Sequence, residues 1–343
     1  MIGGDNFTVN ISGRSHLDQL FGCAGAAVIT LTLFGCGAHA PDGVNEDREG
    51  LCASNIERIG ANSSPLLRWC DVVEFEPSLG PDQNDVSDAI RASGLPWKVR
   101  CRRTGLDFVL IPVLRNISAA YVTDFTEPPP YRSVTIELSI VKPLYFSITE
   151  APVHVMRSFG LEPGVLTRNG LRQDCPTYPL TACSASAVMD ALAGTGLRLP
   201  TQVEWMYVAS LLWRNRGLGC LDGANLIDKS SESNIADIAF DEWTLGDIGD
   251  DGIPGLSPVG MCGSSSLGIF DLFGNALEVC SDVSGSWAVK GEPQPQRVTP
   301  SEVVAKHGGC HAWPKRWAIP GYGVYGDRLE FSSWDGFRLV HDP

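Results

Sequence analysis

Apolar and polar positions alternate differently in different parts of the chain, and the changes of pattern predict its elements. From Leu20 to Cys36 the residues run Leu-Phe-Gly-Cys-Ala-Gly-Ala-Ala-Val-Ile-Thr-Leu-Thr-Leu-Phe-Gly-Cys with no charge, the length and polarity of a secretory h-region, short for a bilayer span. From residue 37 to about 85 no period is sustained and Gly, Pro, Asn and Asp recur, so the segment reads as a tether leading into a small N-terminal segment. Order is expected from Asp88 onward. Phe108-Val109-Leu110-Ile111 is a continuous apolar run, the pattern of a buried strand. Past Pro128-Pro129-Pro130, Val134, Ile136, Leu138 and Ile140 alternate with Thr135, Glu137 and Ser139, a half-buried strand with one wet face. Thr201-Gln202-Val203-Glu204 is a capping box, in which hydroxyl and carboxylate each satisfy a backbone N–H of the first turn. The helix it opens places Val203, Met206, Tyr207 and Leu211 on one face. A shorter helix is expected from about Ser184 to Ala193, ended by Gly194. Beyond Asn215 the chain reads as turns studded with Trp, Gly and Asp, held by aromatic plugs, disulfides or ions more than by ladders.

Composition narrows the class. With 343 residues, 43% of them hydrophobic and 19% charged, the chain can build a sizeable core, and disorder or a coiled coil is excluded. The 37 glycines and 23 prolines argue against a helical bundle, because both residues end helices and serve turns. A loop-rich α+β fold is the expectation. Net charge is −14 and no Lys/Arg-rich run occurs, so the counterion-release attraction to nucleic acid is missing and DNA and RNA are excluded as partners. The acidic surface suits cations instead.

Two readings of the N-terminus compete. Leu33-Phe34-Gly35-Cys36 resembles a bacterial lipobox, whereas Ala38-His39-Ala40 resembles a signal-peptidase site that Pro41 would follow. The lipobox is favoured: an acylated Cys36 then holds the mature protein on a membrane of the cell envelope. A buried apolar helix is the plain structural alternative, and the n-region has only Arg14 as a strong base. Export lets cysteines pair. Of 11 cysteines, Cys23 and Cys36 fall in the leader, and the other nine contain no Cys-x-x-Cys, which argues against a zinc ribbon or thioredoxin-type site. Their connectivity is open, Cys175 and Cys183 being near neighbours in sequence. No Gly-x-Ser-x-Gly elbow, P-loop or His-Glu-x-x-His motif is present.

Four stretches, in order, resemble the formylglycine-generating enzyme, or sulfatase-modifying factor, family. They are Arg198-Leu199-Pro200-Thr201-Gln202-Val203-Glu204-Trp205, Leu267-Gly268-Ile269-Phe270-Asp271-Leu272-Phe273-Gly274-Asn275-Ala276-Leu277-Glu278, Gly308-Gly309 and Gly336-Phe337-Arg338. Glu150 sits where that family has Glu-Val-Thr. The resemblance implies a C-type-lectin-like α+β fold with few regular elements for a 94–343 domain, which follows the 1–36 signal and lipoprotein segment and the 37–93 tether and small segment read from the chain itself.

The resemblance also implies sites. The family's oxidases hold copper(I) on two cysteines after the Gly-Gly-Ser element; Trp313 and Ala318 stand at those positions, Cys310 stands at the serine and Leu277 at a tryptophan. Copper-dependent formylglycine formation is therefore not expected, because a soft cation needs its sulfur donors. Calcium is expected on Asp271, the carbonyls of Gly274 and Ala276, and Glu278, and a second ion on Asn234, the Ile235 carbonyl, Asp251 and the Ile253 carbonyl, all hard oxygen donors. The leading expectation is a catalytically silent, calcium-stabilised binding or structural module for a protein or glycan ligand. The alternative is a divergent enzyme using Cys310 with His307 or His311 on another metal or as a thiolate–imidazole pair.

Overall fold

The computed structural model describes residues 68–122, 133–164, 175–216, 256–262, 264–282, 303–311, 318, 320–330 and 332–343. The chain divides into two units, Met1–Ser64, which lies outside the described residues, and Pro65–Pro343. The expected leader and lipobox thus fall outside the described residues, as do residues 37–67 of the expected tether. No helix among the described residues is long and apolar enough to cross a membrane.

Among the described residues the second unit has three sheets. The largest takes β1 (Cys70–Glu74), β2 (Lys98–Cys101), β3 (Asp107–Ile111), β6 (Leu144–Ser147), β12 (Val340–His341) and β7 (Leu197–Arg198), six strands in that order and all antiparallel. A second sheet has the order β10 (Gly323–Asp327), β9 (Val303–His307), β8 (Leu277–Val279) and β11 (Asp335–Gly336). β4 (Ile117–Val122) and β5 (Ser133–Leu138) pair by themselves.

Local sequence accounts for most of these elements. The apolar run becomes β3, buried from Phe108 to Ile111 against the equally buried β6. In β5 Ile136 and Leu138 are buried while Thr135 and Glu137 face out, as alternation requires. The capping box opens α4 (Gln202–Arg216): the Glu204 N–H donates to Thr201 Oγ1 at 3.2 Å and the Thr201 N–H to Glu204 Oε2 at 2.8 Å. The shorter helix is α3 (Ala185–Leu192), with Ser184 Oγ accepting from the Ala187 N–H.

Three differences from the sequence pattern have physical causes. α4 is buried on all sides from Trp205 to Leu212 rather than along one stripe, since it lies inside the molecule and touches both β4 and β9. Residues upstream of Gly94 join the folded unit: β1 edges the large sheet, and α1 (Asn84–Ser93) buries Val86 and Ile90 and ends at Gly94 in the left-handed region. Two apolar positions one turn apart are too few to stand out in a polar stretch. Past Asn215, β8, β9 and β10 form ladders that their short, mixed sequences do not announce. α2 (Val153–Arg157) completes the helices among the described residues.

Candidate functional site

The loop before β8 turns on two non-glycine residues in the left-handed region, Asp271 (φ 54°) and Asn275 (φ 58°), a conformation that short polar side chains tolerate by bonding locally. Asp271 does so by accepting from the N–H groups of Gly260 at 2.5 Å and Cys262 at 3.1 Å. The buried Asn275 amide uses both ends. Its Nδ2 donates to Glu150 Oε2 at 2.6 Å and to the Ser257 carbonyl at 3.3 Å, while its Oδ1 accepts from the Ser257 N–H at 2.8 Å and hydroxyl at 3.2 Å. The other Glu150 oxygen accepts from the Ala276 N–H at 3.0 Å.

Glu278, on β8, faces the only guanidinium described at this cluster. Arg338 Nε donates to Glu278 Oε1 at 2.7 Å, and Trp205 Nε1 donates to Oε2 at 2.6 Å. Arg338 also donates to the carbonyls of Ser147 at 3.0 Å and Phe270 at 2.8 Å, so one side chain ties β6, the loop and β8 together. Both members of the pair are fully buried. Three buried carboxylates, Glu150, Asp271 and Glu278, thereby share one cation. Burial pushes the Glu150 carboxyl well above the ordinary range and the charges of Asp271 and Glu278 add to it, with Arg338 and Asn275 pulling the other way. Burial likewise lifts Asp271 to about 6, against the Gly260 N–H and Arg338. Yet both Glu150 oxygens accept hydrogen bonds, the arrangement of an ionised group. Three buried carboxyl groups thus face the single guanidinium of Arg338.

The stretch after β9 packs on this loop. Gly308 has φ 89° and its carbonyl accepts from the Gly274 N–H at 2.8 Å; a Cβ there would stand 2.7 Å from the Leu272 carbonyl oxygen, so only glycine fits. The Asn275 carbonyl takes both the His311 N–H at 2.9 Å and His311 Nδ1 at 3.1 Å, which puts the proton of a neutral ring on Nδ1. His307, on β9, is buried and stacks on Trp205 with centroids 5.0 Å apart. Its Nδ1 lies 3.0 Å from the Tyr322 carbonyl, which can only accept, so Nδ1 is protonated and Nε2 accepts from the Gln202 amide at 3.1 Å. Burial lowers its pKa to about 4, the Tyr322 carbonyl opposing. Both ring nitrogens are engaged, so the ring is neutral and serves as a packed link between α4 and β10.

A family model, the sulfatase-modifying factor enzyme 1-like domain, matches residues 167–343, just over half of the chain. The chain belongs to this family. Its loop-rich α+β, C-type-lectin-like fold is the one described above. Three solved structures are similar over most of their own length. PvdO from Pseudomonas aeruginosa is 19% identical with a TM-score of 0.48, covering 71% of this chain and 96% of that one. The Treponema denticola variable protein 1 is 15% identical (TM-score 0.44; 70% and 96% covered), and CarF is 17% identical (TM-score 0.44; 69% and 98% covered). No curated protein sequence matches the chain.

Set on the family fold, the expected site residues separate into groups. Asp271, Gly274, Ala276 and Glu278 lie together on the signature loop and β8, and Asp271 and Glu278 have hydrogen-bond donors on all four carboxylate oxygens. Asn234, Ile235, Asp251, Ile253 and Trp313 lie outside the described residues. Cys310 is buried, His307 is enclosed as above and His311 is half-buried; among the described residues no three His, Cys, Asp or Glu side chains form a metal-holding group. Ala318 is fully buried. No disulfide joins the seven described cysteines, and the Cys175–Cys183 neighbours remain thiols, with Cys175 Sγ 3.7 Å from Thr177 Oγ1. Trp205, Asn275 and Arg338 lie within the motif stretches, and their roles come from the structure. Their signal was chemical: polar groups inside apolar neighbourhoods, which must find partners once buried.

Proposed function

We propose that this member of the family carries no copper-dependent oxidase step and works as a calcium-stabilised binding or structural module for a protein or glycan ligand, exported and held at a membrane by a lipid on Cys36. The observation that carries the reading is Ala318, a fully buried methyl where the resemblance calls for a copper thiolate. Trp313 stands at the other such position.

The calcium part rests on the gathering of Glu150, Asp271 and Glu278 around the one guanidinium of Arg338. A divalent cation matches these carboxyl groups in sign, and the donors are hard oxygens. Asp271, Glu278 and the carbonyls of Gly274 and Ala276 are the groups that would hold it, with Glu150 adding charge from behind. Bound there, the ion would supply positive charge to the cluster. Mutual repulsion of the carboxylates otherwise loosens the loop.

Three measurements test the reading. Purified protein with copper(I), oxygen and a cysteine peptide of sulfatase type should leave the peptide mass unchanged; formylglycine product ends the proposal that the oxidase step is lost. A chelator should lower the melting temperature, and added calcium should restore it; a melting temperature indifferent to both removes the calcium part alone. Labelling cells with a fatty acid should mark the protein and not a Cys36→Ala variant, and equal labelling rejects the anchor.

A further inference from the structure

Cys70 and Cys101 stand directly opposite each other in the β1–β2 ladder. The neighbouring pair is a hydrogen-bonded one, because the Arg102 N–H donates to the Trp69 carbonyl at 3.0 Å. Cys101 turns its own N–H to the Leu106 carbonyl and its carbonyl to the Gly105 N–H, both at 2.8 Å and both away from β1. Antiparallel pairs alternate, so Cys70 and Cys101 form a non-hydrogen-bonded pair, the kind with Cα atoms about 4.5 Å apart and side chains on one face. That separation lies inside the roughly 4.4–6.8 Å span that a disulfide bridges. Both side chains are buried, at 2% exposure each. No other two cysteines are opposed in a ladder among the described residues.

We propose that Cys70 and Cys101 form a cross-strand disulfide that clamps β1, the edge strand, to the six-stranded sheet. The Cys70 thiolate attacks one sulfur of a carrier disulfide, such as oxidised glutathione or a dithiol oxidoreductase, and the carrier's other sulfur leaves as a thiolate. The Cys101 thiolate then attacks Cys70 in the mixed disulfide and expels the remaining carrier sulfur. The two thiols lose two protons and two electrons, and the carrier becomes two thiols. Burial pushes the Cys70 thiol up to about 11, so in the closed sheet it is a slow nucleophile. The bond therefore forms while β1 is still open during folding, and its role is structural. β1 has need of it: every residue from Asp71 to Glu74 is exposed, leaving Cys70 as its one buried side chain.

The test refolds the full chain in a glutathione redox buffer, alkylates remaining thiols in denaturant, digests without reductant and maps the peptides by mass. A linked pair joining Cys70 to Cys101, lost on reduction, is expected. Finding both residues alkylated, or either joined to a different cysteine, overturns the proposal. Reduction should also raise the unfolding equilibrium constant of the wild type by roughly a hundredfold, and a Cys70→Ala/Cys101→Ala double variant should be insensitive to that step. Equal sensitivity in the two proteins overturns it as well. Should the variant fail to fold, the peptide map on the wild type decides.

Discussion

The two larger sheets are stabilised by opposite means. The six-stranded sheet is an apolar structure: Phe108, Val109, Leu110 and Ile111 of β3 lie against Leu144, Tyr145 and Phe146 of β6, all buried. The four-stranded sheet is threaded with buried charge. Lys306 on β9 pairs with Asp335 on β11 at 2.7 Å, Glu278 on β8 pairs with Arg338, and His307 is locked between Gln202 and Tyr322. Hydrophobic burial is non-directional and tolerates adjustment, whereas a buried charge is stable only while its specific partner is present. A volume-conserving change should thus be mild in the first sheet and severe in the second. Arg338 is where the two meet, since it bonds the Ser147 carbonyl of the first and Glu278 of the second.

The largest effect is expected at that junction. Arg338→Met keeps much of the side-chain length and strands Glu278, Glu150 and Asp271 without their cation, so denaturant unfolding should show a loss of about 3–5 kcal/mol. A loss under 1 kcal/mol would mean that the charges are already neutralised without Arg338, and the contrast between the sheets would fail.

The next effect is a pH dependence. The folded-state pKa of Asp271 is raised, so its contribution is present below the ordinary carboxylate range and is lost as pH rises through about 6. With calcium chelated, the stability of the wild type relative to Asp271→Asn should fall by roughly 3 kcal/mol between pH 4 and 7. His307 has the opposite sign: its pKa is depressed to about 4, so its contribution is present at neutral pH and lost as pH falls from the ordinary imidazole range. Acid sensitivity that the two residues partly cancel in the wild type should therefore emerge in Asp271→Asn. A pH-independent difference between the two proteins would show that burial does not raise the Asp271 carboxyl.

The smallest effect belongs to local structure. Thr201→Ala removes one half of the capping box and should cost about 1 kcal/mol in thermal or denaturant unfolding. Glu204 should keep its place in that variant, because Arg198 holds both its oxygens at 2.7 Å. A loss as large as that of Arg338→Met would place the helix start, and not the buried charge, at the centre of the molecule's stability.

These contrasts follow what could be read along the chain. The buried run of β3, the alternation of β5 and the caps of α3 and α4 are written in neighbouring residues, since side-chain period and capping act within a few positions. The motif stretches and the residues Trp313 and Ala318 are likewise legible, because they depend on residue identity alone. β8, β9 and β10 were not legible, being short strands whose pattern has meaning only beside their partners. Nor was the carboxylate cluster: Glu150 lies more than a hundred positions before Asn275 and Ala276, which bond it. Cys70 and Cys101 illustrate the same limit, for opposition across a ladder depends on register, and register is set by the face that each strand buries. Sequence by itself therefore determined the family, the local elements and the identity of Trp313 and Ala318. Tertiary structure alone decided which charges share a pocket, which histidine is enclosed and which cysteines face each other, because burial and distance arise only when remote segments close on one another.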